Sequence, residues 1–226
     1  MSKIGIIIAM NKEFDSLSAL VGEPLLKEQF AGIDFSSYSI NNHTVILARC
    51  GIGEIYASTA ATLLIYLYGA EELLNYGFVG ALSDKYKIFD ILAVKDVVHY
   101  DMDLTAFGNK PGQYDDRDDE LWQADEALTS RIIGSRTITA ERIASADKFV
   151  RLTEAKLTIG KMFSAEMCDM ESAGIAIIAN RSKIPFASLK LIVDGVDGDS
   201  HAAFEVNAKK GASALAEILF DYLSLV

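Results

Sequence analysis

The sequence predicts an α/β fold, a three-layer α/β/α sandwich around a mixed central sheet, and three observations carry that expectation. Strand-like and helix-like patterns alternate along the chain instead of segregating into blocks. Residues 186–193 form a nearly continuous apolar run, the signature of a parallel strand covered on both faces. The 226 residues, 50% of them hydrophobic, supply one sizeable core, and no Pro/Ser-rich linker or low-complexity block divides them. Residues 1–226 are therefore read as a single domain.

Taken in order, residues 3–9 read as a first strand. Asn11-Lys12-Glu13 ends that apolar run too early for a signal-peptide core. Residues 11–21 place Phe14, Leu17 and Val21 on one helical face. Strands 34–40 and 44–50 flank an Asn41-Asn42 turn. A helix at 52–68, strands at 74–79 and 88–100, and a helix at 119–133 follow, then a strand at 137–145, helices at 148–156 and 170–181, and the buried strand 186–193. In the closing helix, 207–225, Leu215, Ile218, Leu219, Tyr222 and Leu223 recur at helical spacing and form an apolar face for the sheet.

The charge balance, 21 Lys+Arg against 32 Asp+Glu for a net charge of -11, argues against nonspecific attraction to nucleic acid or anionic membranes and favours a small ligand. The longest apolar segment, 55–70, carries Ser58, Thr59 and Thr62 and is shorter than the roughly 20 residues that span a bilayer. Cys50 and Cys168 have no CxxC spacing and read as reduced, so the expectation is a soluble cytoplasmic protein. His43, His99 and His201 lack ligand spacing, so no metal is expected, and Gly51-Ile52-Gly53 lacks the spacing and trailing Lys of a phosphate loop. The acidic run 115–120 reads as the solvated start of the helix at 119–133.

Chemistry concentrates where carboxylates meet apolar walls. Asp194 directly follows Leu191-Ile192-Val193, and ligands in α/β sheets gather beyond the carboxyl ends of such strands. Taken alone it equally suits a helix N-cap. Met170-Glu171 opens an apolar helix, where the macrodipole already favours a carboxylate. Glu13 lies one turn into the first helix and by itself suits a solvated position. Phe149-Val150 falls at the start of a helix, where a phenylalanine commonly serves the core.

Together these segments, with Lys3-Ile-Gly-Ile-Ile-Ile-Ala-Met10, Gly51-Ile52-Gly53, Asp103-Leu-Thr-Ala-Phe-Gly108, Pro111-Gly-Gln113, Ser145-Ala-Asp-Lys-Phe-Val150 and Phe204, resemble the purine nucleoside phosphorylase and nucleosidase superfamily over nearly the whole chain. The likeness is greatest to its members that hydrolyse 5′-methylthioadenosine and S-adenosylhomocysteine. The resemblance implies that Asp194 protonates purine N7, Glu13 activates the attacking water and Glu171 holds the ribose hydroxyls. It also implies that Phe149 stacks on the base, the Val150 backbone reads the base edge, and Met10, Ile52, Met170 and Phe204 line the apolar side. No cofactor is implied. A homodimer is, with Leu104 and Phe107 reaching into the neighbouring pocket. Phe78, Val193 and Ile8 depart from the pattern, and Phe78 and Val193 keep open a binding relative without turnover; the other alternative is a phosphorylase using phosphate, for which Lys12 and Arg49 are the cations nearest the expected place.

Overall fold

In the computed structural model, which describes residues 2–197 and 200–225 and all of their side chains except those of 200–203, β-branched residues pack the first strand into the centre of a sheet. In β1 (Lys3–Ile8) every residue after Lys3 is buried. The next elements are α1 (Asn11–Val21), β2 (Leu26–Phe30), β3 (Ile33–Ile40), β4 (His43–Arg49), α2 (Glu54–Tyr66), β5 (Glu72–Ala81) and β6 (Ile91–His99). A 3₁₀ turn at Thr105–Phe107 precedes β7 (Leu121–Gln123), α3 (Glu126–Ile133), β8 (Ala140–Ser145), α4 (Thr153–Phe163), β9 (Met167–Asp169), α5 (Ser172–Ser182), β10 (Phe186–Asp194) and α6 (Ser200–Leu225).

The sheet is mixed, as the sequence predicts. Strand β1 lies parallel between β4 and β5, and β10 runs parallel to β5 but antiparallel to β6. Because β10 pairs with both β5 and β6, the path β5-β9-β8-β6-β10 closes on itself. Alanines on α2 and α5 (Ala57, Ala60, Ala61, Ala173, Ala176, Ala179) let those helices approach one face closely. Leu17 of α1, Leu128 of α3 and Leu215 and Leu219 of α6 cover the other, giving three layers. Gly211 brings α6 against β10, since a Cβ there would stand 2.1 Å from Leu191 Cδ2.

Several boundaries differ from the sequence expectation. The stretch read as one helix, 119–133, divides: Leu121-Trp122-Gln123 pairs with β6, and only from Glu126 does the chain turn helical, with Asp125 accepting the Leu128 N–H at 2.7 Å as N-cap. Trp122 drives this split, because its ring is buried beneath the Arg117 guanidinium, 4.0 Å from the ring centroid. The acidic run 115–120 is accordingly loop, with Asp116 paired to Arg181 and Asp119 to Arg117. The helix expected at 148–156 begins only at Thr153, leaving Phe149 and Val150 in the loop after β8. Strands β2 and β9 lack a periodic signal: β2 is an exposed edge, and β9 has three residues.

Candidate active site

Loops and helix starts at the carboxyl ends of β1, β5, β8, β9 and β10 enclose a cavity of about 230 Å³. Met10, Glu13, Ile52, Phe149, Val150, Met170, Glu171, Asp194 and Phe204 all line it, together with Phe78 and Gly80. Leu104 and Phe107 do not; Phe107 stands 83% exposed in the turn after β6.

Glu13 is buried, 3% exposed, instead of solvated. The first turn of α1 carries it back over the sheet, where Oε2 accepts the Met10 N–H at 2.9 Å and Oε1 accepts the Phe78 N–H at 3.0 Å. Gly77 makes the approach possible, since a Cβ there would lie 2.9 Å from Glu13 Oε1. The bulk of Phe78, which departs from the small hydroxyl residue of the family pattern, therefore leaves this anchor intact: its backbone N–H holds the carboxylate. Its ring meets Phe204 edge-on at 6.2 Å, and Phe204 meets Phe149 edge-on at 6.1 Å, so three aromatic rings line the apolar side.

Glu171 is the N-cap of α5, just before its first turn, and accepts the Gly53 N–H at 3.0 Å. Burial raises its carboxyl to about 8 and that of Glu13 to about 7. Beneath both lies a buried network that the motif reading passed over. Lys190 Nζ donates to Asn75 Oδ1 at 2.5 Å and to Asp169 Oδ2 at 2.7 Å, and Ser172 Oγ donates to the same Asp169 oxygen at 2.6 Å. The lysine field lowers Glu13 and Glu171, while Asp169 raises them. Lys190 was visible as a charge inside the apolar run 186–193, and a charge so buried requires a partner.

Asp194 ends β10. A register shift between Ile192 and Asp194 lets Val193 bulge, and such a bulge re-aims the following side chain. Val193 itself is buried in the core beneath α6, and Ile8 lies in the same core. Asp194 is 2% exposed, and its carboxyl sits above the ordinary value because desolvation outweighs the Lys156 ammonium bonded to Oδ2. The other oxygen, Oδ1, is buried without a hydrogen-bond partner among the described residues.

The remaining candidates lie elsewhere. Lys12 pairs with Glu205 and Arg49 with Asp34, and neither cation lines the cavity. His99 bridges Glu54 and Asp101 at 2.9 and 2.8 Å, His43 bonds Ser2, and the side chain of His201 falls outside the described residues. Cys50 and Cys168 are free and buried. No helix among the described residues is long and apolar enough to cross a membrane.

Known proteins match both sequence and fold. The phosphorylase superfamily pattern matches residues 3–224. A 5′-methylthioadenosine/S-adenosylhomocysteine nucleosidase from Staphylococcus haemolyticus is 31% identical, covering 97% of this chain and 100% of its own. Among solved structures, a futalosine hydrolase mutant from Helicobacter pylori superposes with a TM-score of 0.95 at 26% identity over 100% of both chains. The 5′-methylthioadenosine/S-adenosylhomocysteine nucleosidase of the same organism superposes with a TM-score of 0.94 at 26% identity, covering 100% of this chain and 99% of that one.

Proposed function

The chain belongs to the phosphorylase superfamily and is an N-glycosyl hydrolase within it, and from that premise we propose that it cleaves 5′-methylthioadenosine and S-adenosylhomocysteine into adenine and the thioribose. The observation that carries this reading is the convergence of four buried carboxyl groups, Glu13, Asp169, Glu171 and Asp194, and a row of aromatic rings on one cavity. Cleavage needs a proton for the departing base, compensation for a cationic sugar and a nucleophile on its open face. Asp194 transfers a proton to purine N7 as the C1′–N9 bond breaks and its electron pair passes to the base. Glu171 accepts hydrogen bonds from the ribose hydroxyls and offsets the positive charge developing at C1′. Glu13 takes a proton from the water whose oxygen bonds to C1′. Phe149 and Phe204 hold the purine, and the Val150 backbone reads its edge.

Water is favoured over phosphate because phosphate needs convergent cationic donors, whereas Lys12 and Arg49 do not line the cavity and are paired with Glu205 and Asp34, which leaves Lys148 as a single lining cation among the described residues. The likeness to futalosine hydrolase supports a second reading, in which the 5′ arm is that of a futalosine-type nucleoside. The protein is further proposed to act as a single-domain cytoplasmic homodimer without cofactor. The exposed Phe107 and the half-buried Leu104 would close the 5′ side of the partner's pocket.

Incubating the purified protein with methylthioadenosine, S-adenosylhomocysteine, futalosine and inosine, with and without phosphate, tests the assignment. The expected result is phosphate-independent release of adenine from the first two. Release only with phosphate would make it a phosphorylase, release from futalosine alone would select the second reading, and tight binding without any product would leave a binding relative.

A further inference from the structure

Lys156 takes no part in the reaction as written, yet it is a wholly buried lysine in contact with the proposed acid. Its side chain is 0% exposed, and Nζ donates to Asp194 Oδ2 at 2.6 Å and to the Gly195 carbonyl at 2.7 Å. Burying an ammonium is costly, and an apolar side chain of similar volume would fill this place in α4 without that cost. Glu13, Lys148, Asp169 and Glu171 line the same cavity, but Lys156 is the charged group bonded to this carboxyl among the described residues; the neighbouring elements bring further groups. From β5 comes Gly80, where a Cβ would lie 3.4 Å from Asp194 Oδ2, and from β9 the Cys168 thiol, which burial pushes up to about 12. From α6 come Phe204 and Asn207, the latter donating to the Val193 carbonyl, while Glu205 at the same cavity pairs with Lys12. Lys156 is thus the charged partner of this carboxyl.

We propose that Lys156 is a positioning residue for the acid: by holding Oδ2 it assigns the transferable proton to Oδ1, and by its charge it stabilises the carboxylate that remains once that proton has reached the purine. The inference rests on the nucleosidase reading of the site. As the Oδ1–H bond breaks and N7–H forms, negative charge appears on Asp194 beside a fixed ammonium. An interaction that strengthens between ground state and transition state accelerates the step. The same ammonium also favours early ionisation of Asp194, and desolvation opposes it, leaving the carboxyl above its ordinary value. Without Lys156 the carboxyl would keep its proton to higher pH and release it less readily.

The test compares Lys156→Met and Lys156→Gln in the full chain, measuring kcat and KM for methylthioadenosine hydrolysis across pH, with Asp194→Asn alongside. Lys156→Met is expected to lower kcat roughly 10²-fold with KM near wild type, and to move the alkaline limb of kcat to higher pH. Lys156→Gln, which keeps a donor but no charge, is expected to regain part of kcat while its limb stays displaced; it also carries the test if the methionine variant fails to fold. Wild-type kcat in both variants, or lost activity with an unmoved limb, would overturn the proposal, the latter by reducing Lys156 to a structural role. Asp194→Asn separates the two levels. If that variant turns over normally, the reading of the site itself fails; if it is inactive while the lysine variants leave the limb in place, only the role of Lys156 fails.

Discussion

Burial lifts the Glu13 carboxyl from its ordinary 4.5 to about 7, and one cause sets both its chemistry and its cost. A base near neutrality is well matched to taking a proton from water. It must be ionised to do so, so kcat/KM is expected to fall about tenfold per pH unit below about 7. Glu13→Gln should remove turnover at every pH while the fold persists. A flat profile between pH 5 and 8 would show that Glu13 is not the base. Stability runs the other way. Because the folded value lies above the unfolded one, the contribution is full below about 4.5 and is lost as pH rises through about 7, by on the order of 3 kcal/mol for this group. Glu171, at about 8, extends the same loss upward. Thermal scans should therefore show Tm falling from pH 6 to 9, and less so in Glu13→Gln. Phe149 is 45% exposed at the cavity, so its ring is available to a ligand. Phe149→Ala should raise KM by the equivalent of about 1–3 kcal/mol, the range for base–aromatic stacking, with Tm little changed. An unchanged KM would return Phe149 to packing alone.

At the scale of elements, the site depends on where secondary structure stops. Glu171 is a cap and Asp194 follows a bulge, and both positions arise where a regular ladder ends. Periodicity located the strand 186–193 and the apolar helices beside it. It could not resolve β7 from α3, because Leu121-Trp122 suits either pattern until the pairing with β6 is known. It also placed the helix after β8 too early, since the apolar Phe149-Val150-Leu152 mimics a helical face while the chain there is irregular loop up to Leu152. The contact of α6 with β10 gives a stability prediction. Gly211→Ala would drive a methyl into Leu191 and should cost about 1–3 kcal/mol in denaturant unfolding. Since β10 carries Asp194, kcat should fall as well. A variant as stable as wild type would show that α6 shifts freely on the sheet.

For the whole molecule, the homodimer proposed above draws on the exposed apolar positions. Ile52, Ile55 and Tyr56 are each more than half exposed around the start of α2, and Phe107 is 83% exposed. Apolar surface of this kind rimmed by polar residues marks interaction sites, and a twofold dimer is the commonest closed arrangement. Phe107→Asp should shift sedimentation at micromolar concentration from twice the chain mass toward the monomer, and should weaken affinity for 5′-substituted nucleosides. A fully active monomer would overturn the dimer.

By itself the sequence determined the fold class and the residues that could do chemistry, because alternation of periodic segments and carboxylates beside apolar runs are local properties that a linear reading captures. Read residue by residue, it favoured solvent for Glu13 and a helix cap for Asp194. Only the tertiary structure decided those cases, through Gly77 and the Phe78 N–H beneath Glu13 and through the Val193 bulge beside Asp194. It alone brought Lys156 to Asp194 and Lys190 to Asp169, pairs 38 and 21 residues apart in the chain. The physical reason is that desolvation and ion pairing depend on distance and burial, which residues distant in sequence acquire only when strands and helices pack.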